Sequence, residues 1–141
     1  MPVSPLNTTH LIAFLTGAAT GAAGTYLADK YTDQRRKNET TSALLKTYRE
    51  LDALMPGLFK EIRQDIQDDG SGVIREFVVL SSRDVKINHS RRRFEYFENE
   101  HPDLILKIGL LVDARFINDV TVDNVPIYKM NEHFVSLLRK R

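Results

Sequence analysis

The chain has 141 residues, with 20 basic and 19 acidic side chains, no cysteine and a net charge near +1. This balance excludes the strongly basic composition of many nucleic-acid-binding proteins and the excess negative charge of an acidic tail protein. The charges are unevenly distributed, because residues 1–28 contain no Lys, Arg, Asp or Glu and every charged side chain lies in residues 29–141.

The first predicted element is a transmembrane helix over residues 11–28. This uncharged segment is just long enough, at about 1.5 Å per residue, to cross most of a hydrocarbon core of roughly 30 Å. Its interior is rich in Ala, Gly and Thr, so the predicted insertion is marginal. Three alternatives stay open: a cleaved signal peptide, which residues 1–10 disfavour because they lack Lys and Arg, a buried helix of a soluble protein, and a flexible apolar tail.

Small residues recur every four positions in the uncharged segment, and Gly17-x-x-x-Gly21 is the small-x-x-x-small pattern that lets two helix backbones approach closely. We therefore predict that this helix packs against another helix and supports a homo-oligomer. The predicted packing residues are Ala13, Gly17, Gly21, Gly24 and Thr25.

Basic residues follow the uncharged segment and none precedes it. Lys30, Arg35, Arg36 and Lys37 lie in a predicted basic juxtamembrane linker, residues 29–39. The positive-inside rule then predicts a single-pass membrane protein, with residues 1–10 outside the cytoplasm and a domain of residues 40–141 inside it.

Residues 40–141 are predicted to fold as one small α+β domain, because helical periodicity alternates with β-branched and aromatic runs. Thr40-Thr41-Ser42 is predicted to cap the first helix, and Pro56-Gly57 to break it. The further predicted elements are a helix ending at 68–72, a strand at 73–80, a basic loop at 81–93, a strand at 94–97, a helix at 103–114, strands at 116–122 and 127–130, and a last helix capped by Asn131.

The order from Asp103 onward is helix, two-stranded hairpin and short helix, with Leu110-Leu111 before Phe116-Ile117 and with Ile127-Tyr128-Lys129-Met130 before Asn131. This order resembles the second half of a winged-helix domain, in which a recognition helix precedes a two-stranded wing. The resemblance implies that Asp103 and Lys107 lie on the outer face of the recognition helix, and that Asp123 and Asn124 form the wing tip. Winged helices often have glycine between helix and wing, where this chain has Asp113-Ala114-Arg115.

A second group of basic residues lies in the loop before the 94–97 strand. The candidate partner-binding residues are Arg83, Lys86, Arg91, Arg92 and Arg93, together with Lys107 on the predicted recognition helix. Phe94 and Tyr96 follow directly, and aromatic side chains beside arginines can hold single-stranded bases. Nucleic acid, acidic lipid headgroups and a protein partner or plain solvated loop remain alternatives.

The sequence contains no pattern typical of catalysis. The four histidines form no His-x-x-x-His cluster, and there is neither a cysteine nucleophile nor a glycine-rich phosphate loop with lysine. We therefore predict no enzyme activity, no metal site, no cofactor and no small-molecule substrate.

These observations together predict a membrane-anchored binding or regulatory protein whose cytoplasmic domain recognises a protein or a nucleic acid. One alternative is a small membrane effector that oligomerises through its Gly/Ala-rich helix and disturbs the bilayer under control of the domain. A further alternative is a soluble regulator whose first helix completes its core.

Overall fold

The computed structural model describes residues 8–88 and 90–140, with side chains from residue 24 onward. The chain divides into two compact units, Met1–Leu45 and Lys46–Arg141. The second unit therefore begins later than the predicted domain, at Lys46. The elements in chain order are α1 (Thr8–Leu54), α2 (Pro56–Asp68), β1 (Glu76–Leu80), β2 (Phe94–Phe97), α3 (Leu104–Asp113), β3 (Ile117–Asp119), β4 (Ile127–Met130) and α4 (Glu132–Arg139). The predicted α+β class is confirmed.

The prediction of a bilayer-spanning helix is wrong for the part of the chain that the structure describes. No helix there combines the length and the apolar composition needed to cross a membrane. From Gly24 to Ala43 the side chains of α1 are exposed, and from Asp29 onward they include many charged groups, which are costly in hydrocarbon. The single-pass topology, the membrane location and the cytoplasmic assignment of residues 40–141 all depended on that span and are withdrawn with it.

The predicted helix start at Thr40-Thr41-Ser42 is also wrong, because α1 runs through these residues. The Thr40 hydroxyl donates a hydrogen bond to the carbonyl oxygen of Arg36, at 2.9 Å, and the Thr41 hydroxyl donates to that of Lys37, at 2.8 Å. Hydroxyls that bond back to the preceding turn are compatible with a helix interior. The residues of the predicted linker, 29–39, are accordingly helical.

The predicted break at Pro56 is confirmed, since α1 ends at Leu54 and Pro56 is the first residue of α2. Proline has no backbone N–H to donate within a helix, and its fixed φ angle suits the first helical position. The buried face of α2 consists of Leu58, Phe59, Ile62 and Ile66. This face packs in the second unit, where it contributes to the main core.

The strands form a sheet in the order β2-β1-β4-β3. β1 and β2 are parallel, with Phe77 beside Phe94, whereas β4 is antiparallel to both β1 and β3. Parallel neighbours require a connection that crosses over the sheet. Here that connection is residues 81–93, which contain no helix or strand in the described residues.

The two faces of the sheet pack differently. On one side Phe77 contacts Tyr96 and Tyr128 in a core shared with the helices, where Tyr48, Phe59, Phe116 and Phe134 form an aromatic cluster with ring centroids 5.0–6.3 Å apart. On the other side Val78, Leu80 and Phe97 form a smaller cluster, against which Ile87, Val125 and Ile127 pack. The crossover connection therefore covers this second face through Ile87.

Helix α3 ends in a Schellman motif, in which the Phe116 amide donates to the Leu111 carbonyl and the Arg115 amide to the Val112 carbonyl, at 3.0 and 2.9 Å. Arg115 adopts a left-handed conformation, with φ 59°, at the position where glycine is common. The following hairpin and α4 reproduce the element order that the winged-helix resemblance implies. Asn131 precedes α4 as predicted, but its side-chain amide donates to the carbonyl of Arg115 instead of capping the helix.

Candidate ligand-binding surface

The structure separates the predicted basic group into two places at opposite ends of β2. Arg91, Arg92 and Arg93, here called the arginine segment, precede the strand, whereas Arg83 lies beside Phe97 at its far end, with the guanidinium carbon 4.7 Å from the ring centroid. Lys86 is exposed in the crossover connection, and Lys107 is half-buried on α3. The candidates therefore do not form one continuous surface.

Two of the arginines have carboxylate partners within the chain. Arg83 forms a two-point ion pair with Glu100, which lowers the pKa of that carboxyl below its ordinary value. The Arg93 Nε atom lies 2.8 Å from a carboxylate oxygen of Glu76, and both side chains are mostly buried. The ion pairs engage both guanidinium groups and Arg93 is in addition mostly buried, so these two arginines are less available to a ligand than residues without an ion pair.

Arg91 and Arg92 are exposed, and the ion pairs found among the described residues do not include them. Both side chains line two adjacent clefts, of about 490 and 440 Å³, and thus form the ridge between them. The first cleft is lined by Asp65, Asp68, Asp69, Ile74, Ser90, Arg91, Arg92, Arg93 and Phe94. The second is lined by Ser71, Val73, Ile74, Arg75, Glu76, Arg91, Arg92 and Lys129.

The first cleft, here called the acidic cleft, has carboxylates opposite the arginines. The carboxylate of Asp69 accepts hydrogen bonds from the Ser71 hydroxyl and from the amides of Ser71 and Ile74, at 2.6–3.1 Å. These bonds, the Ser71 hydroxyl first, lower the pKa of Asp69, and Arg92 contributes in the same direction. Asp69 thus keeps a negative charge while it holds the turn after α2.

Asp65, in the same cleft, has the opposite shift. Burial raises its pKa above the ordinary aspartate value, and the hydrogen bond that it accepts from the Tyr96 hydroxyl, at 2.9 Å, partly offsets that effect. Tyr96 itself is fully buried, and burial followed by the nearby Asp65 charge raises its pKa well above the ordinary value. The prediction that Tyr96 could stack on a nucleic-acid base is therefore wrong, because its ring is part of the core.

The second cleft, here called the basic cleft, has an excess of positive charge. Arg91, Arg92 and Lys129 are exposed there, and Arg75 contributes a guanidinium whose Nε atom is 2.7 Å from Glu132. Among the described residues that line it, Glu76 is the only one with a carboxylate, and Arg93 already pairs with it. The basic cleft can therefore accept an anionic group, such as a carboxylate or a phosphate, through charge-assisted hydrogen bonds.

The remaining predicted site residues lie apart from these clefts. Lys30, Arg35, Arg36 and Lys37 are exposed on α1, where Arg35 pairs with Glu39 at 2.9 Å. Gly24 and Thr25 are also exposed on α1. Ala13, Gly17 and Gly21 lie outside the residues whose side chains the structure describes, so their predicted packing role stays a prediction.

The sequence indicated that acidic residues directly after the basic group, Glu100 among them, could neutralise its arginines, but sequence reasoning missed Glu76. Arg83 with Glu100 and Glu76 with Arg93 are each 17 residues apart, a spacing with no signal at helical or strand periodicity. Arg75 and Lys129 were missed because they are far apart in the sequence and come together only through the antiparallel pairing of β1 with β4, in which Glu76 lies beside Lys129. Among the described residues, no group of three or more His, Asp or Glu side chains has the arrangement of a metal site.

Comparison with known proteins gives no relative: no family model, no curated protein and no solved structure matches this chain. The winged-helix resemblance therefore rests on element order and apolar spacing and stays a prediction.

Proposed function

We propose that this chain is a binding protein that recognises an acidic segment of another protein at the basic cleft. The observation that carries the proposal is the position of Arg91 and Arg92, which are exposed, line both clefts and have no ion pair among the described residues. A glutamate or aspartate side chain in the basic cleft would lie among side chains that include Arg91, Arg92 and Lys129, and Arg–carboxylate bonds are stronger than neutral hydrogen bonds.

The charge distribution favours a polypeptide over a nucleic acid. A phosphate backbone carries a regular series of negative charges and requires a continuous positive surface. Here the arginine segment is bordered by Asp65, Asp68 and Asp69 in the acidic cleft, which would repel phosphates next to those bound. A flexible polypeptide can place one acidic side chain in the basic cleft and direct its other side chains into solvent, away from the acidic cleft.

A salt-dependent titration tests this proposal with two defined probes, hexaglutamate and a twelve-nucleotide oligothymidylate, added to isotope-labelled full-length protein. We expect hexaglutamate to shift the amide resonances of Arg91 and Arg92 and to bind more weakly as salt rises. The variant R91A/R92A should lose at least about tenfold in affinity, equivalent to about 1.4 kcal/mol.

The matched control is R36A/K37A, which removes two adjacent exposed basic residues from α1 and should leave hexaglutamate binding unchanged. Equal loss in both variants would indicate only non-specific charge attraction. Binding of oligothymidylate without binding of hexaglutamate would replace the proposed partner by a single-stranded nucleic acid, and binding of neither probe would reject the basic cleft as a recognition site.

A further inference from the structure

The basic cleft contains three exposed cations that take part in no ion pair within the part of the chain that the structure describes. These side chains are Arg91, Arg92 and Lys129. The other cation of the lining, Arg75, is paired with a glutamate, and the carboxylate of Glu76 is paired with an arginine. Each of these pairs is close to neutral, so the three exposed side chains give the cleft its excess of positive charge.

These three cations approach the cleft from two sides. Lys129 is on β4 and lies beside Glu76 of β1, whereas Arg91 and Arg92 precede β2. The strand order places β2 and β4 on opposite sides of β1, and neighbouring strands are about 4.8 Å apart, so β2 and β4 are separated by roughly 10 Å. An anion bound between the two sides therefore needs acceptor oxygens that point in more than one direction.

A phosphate monoester matches this arrangement better than a carboxylate does. A carboxylate has one negative charge and two oxygens in one plane. A phosphorylated serine or threonine has a charge of about −1.5 to −2 at neutral pH and three strong acceptor oxygens. Arginine binds phosphate through paired hydrogen bonds and lysine binds it as a point charge, so both kinds of cation in the cleft are suited to this group.

The surroundings of the cleft favour a phosphate on a polypeptide over one on a membrane or a nucleic acid. The acidic cleft, directly beyond Arg91 and Arg92, is lined by Asp65, Asp68 and Asp69. An anionic lipid surface or a phosphate backbone would bring further negative charges against these carboxylates. A protein segment can present one phosphate on an uncharged backbone and so avoid this repulsion.

We infer that the acidic group recognised at the basic cleft is a phosphorylated serine or threonine of the partner, bound between the guanidinium groups of Arg91 and Arg92 and the ammonium group of Lys129. Phosphorylation of the partner then controls formation of the complex. This inference rests on the proposed function and adds the chemical identity of the recognised group.

Three peptides that differ at one position test this inference with isotope-labelled full-length protein. Their sequence is Glu-Glu-Xaa-Glu-Glu, in which the central residue is phosphoserine, glutamate or serine. At about pH 7.5 we expect the phosphoserine peptide to bind at least about tenfold more tightly than the glutamate peptide, because it adds charge-assisted hydrogen bonds. The amide resonances of Arg91, Arg92 and Lys129 should shift on binding.

The pH dependence of this preference provides a second measurement. The second pKa of a phosphate ester is about 6, so at about pH 5 the phosphate has lost most of its second charge and the preference should fall severalfold. The glutamate peptide, titrated into the same protein at both pH values, corrects for any titration of the protein itself. A preference that stays the same at both pH values would contradict recognition of the dianion.

The variant K129Q tests the placement of the phosphate, and K86Q is its matched control. Lys86 is an exposed lysine of the crossover connection and is absent from the described lining of the cleft. K129Q should reduce the preference for phosphoserine severalfold, whereas K86Q should leave it unchanged. An undiminished preference in K129Q would overturn the placement of the phosphate beside Lys129.

The outcomes separate this inference from the proposed function. Equal affinities for the phosphoserine and glutamate peptides, both lost in R91A/R92A, would overturn the inference and leave the proposed function standing. Absence of binding by all three peptides would reject both. Binding to phosphatidylcholine vesicles that contain phosphatidylinositol phosphate, without a preference among the peptides, would replace the phosphorylated segment by a lipid headgroup.

Discussion

The ion pair between Asp52 and Arg63 joins the end of α1 to α2 and provides a quantitative test of the packing. Arg63 donates two hydrogen bonds to the Asp52 carboxylate, each 3.0 Å long, and one to the Tyr48 hydroxyl at 3.3 Å. Its guanidinium also lies 6.0 Å from the centre of the Phe59 ring. The hydrogen bond with Asp52 is the main cause that raises the pKa of Arg63.

Removing either partner should lower the free energy of unfolding, and the two losses should differ in size. Breaking a buried pair costs about 3–5 kcal/mol, because the charge that stays behind loses its oppositely charged partner. The Asp52 side chain is only 8% exposed, so R63M should cost about 3 kcal/mol. The Arg63 side chain is 19% exposed and keeps Tyr48, so D52N should cost about 2 kcal/mol. The double variant should be more stable than the sum of the single effects predicts, by about 2 kcal/mol.

Urea denaturation of the four proteins, followed by circular dichroism, measures these free energies of unfolding. The control is R35A, which breaks an exposed pair with Glu39 and should cost less than about 0.5 kcal/mol. Single effects below 1 kcal/mol that simply add in D52N/R63M would refute the reasoning, because they would show that water screens this pair as it does the exposed one.

Three further measurements test local features of the second unit. R115G should raise the free energy of unfolding by about 1 kcal/mol, because glycine has no steric penalty at φ 59°, and an unchanged or lower urea midpoint would contradict this. Hydrogen bonding from Arg75 lowers the pKa of Glu132, so this carboxylate stabilises the fold above the ordinary glutamate pKa, and the stabilisation is lost as pH falls through the lowered pKa. The variant E132Q should therefore show a shallower fall of Tm on the acid side of a Tm-against-pH curve. A curve identical to that of the unchanged protein would count against the pairing. Y96F should raise the pKa of Asp65 further, because the hydrogen bond from Tyr96 that lowers this pKa is lost. A carbon-13 NMR titration of the Asp65 carboxyl measures the pKa, and a lower pKa in Y96F would contradict the prediction.

The sequence predicted those element ends that depend on one or two residues. Pro56 ends α1 because a proline cannot continue the preceding hydrogen-bond ladder, and Asn131 marks the start of α4. Thr40 and Thr41 misled because a hydroxyl can cap a helix start or bond back to the preceding turn. Which of the two occurs depends on whether the preceding residues are helical, and their charged composition did not reveal that.

The sequence predicted that the candidate site contains basic residues, but it did not predict which of them are paired with carboxylates. The presence of a basic group before β2 was clear from the sequence, and Arg91 and Arg92 are indeed exposed. The availability of each arginine depends on the parallel register of β1 and β2, which places Phe77 beside Phe94 and so brings the preceding residues, Glu76 and Arg93, together. Strand pairing over such a distance is decided by the tertiary fold, and no local pattern contained it.

The uncharged N-terminal segment shows the limit of composition as an argument. An absence of charge over residues 11–28 is necessary for a bilayer span but also fits other helices, and the described part of the chain contains no helix suited to crossing a membrane. Ala, Gly and Thr contribute little to the free energy of insertion, so the length of an uncharged segment does not by itself indicate a bilayer span.

The crossover connection, residues 81–93, is held to the sheet at a few positions, and this affects which of its residues can change without loss of stability. Its fold-determining contacts lie at Ile87, which packs on the second face of the sheet, and at Arg93, which pairs with Glu76. Arg91 and Arg92 are exposed between these two anchor points, so substitutions there should leave the free energy of unfolding almost unchanged. Mutation can therefore alter the charge and shape presented to a partner without a stability penalty, and related chains could acquire different partners on the same scaffold.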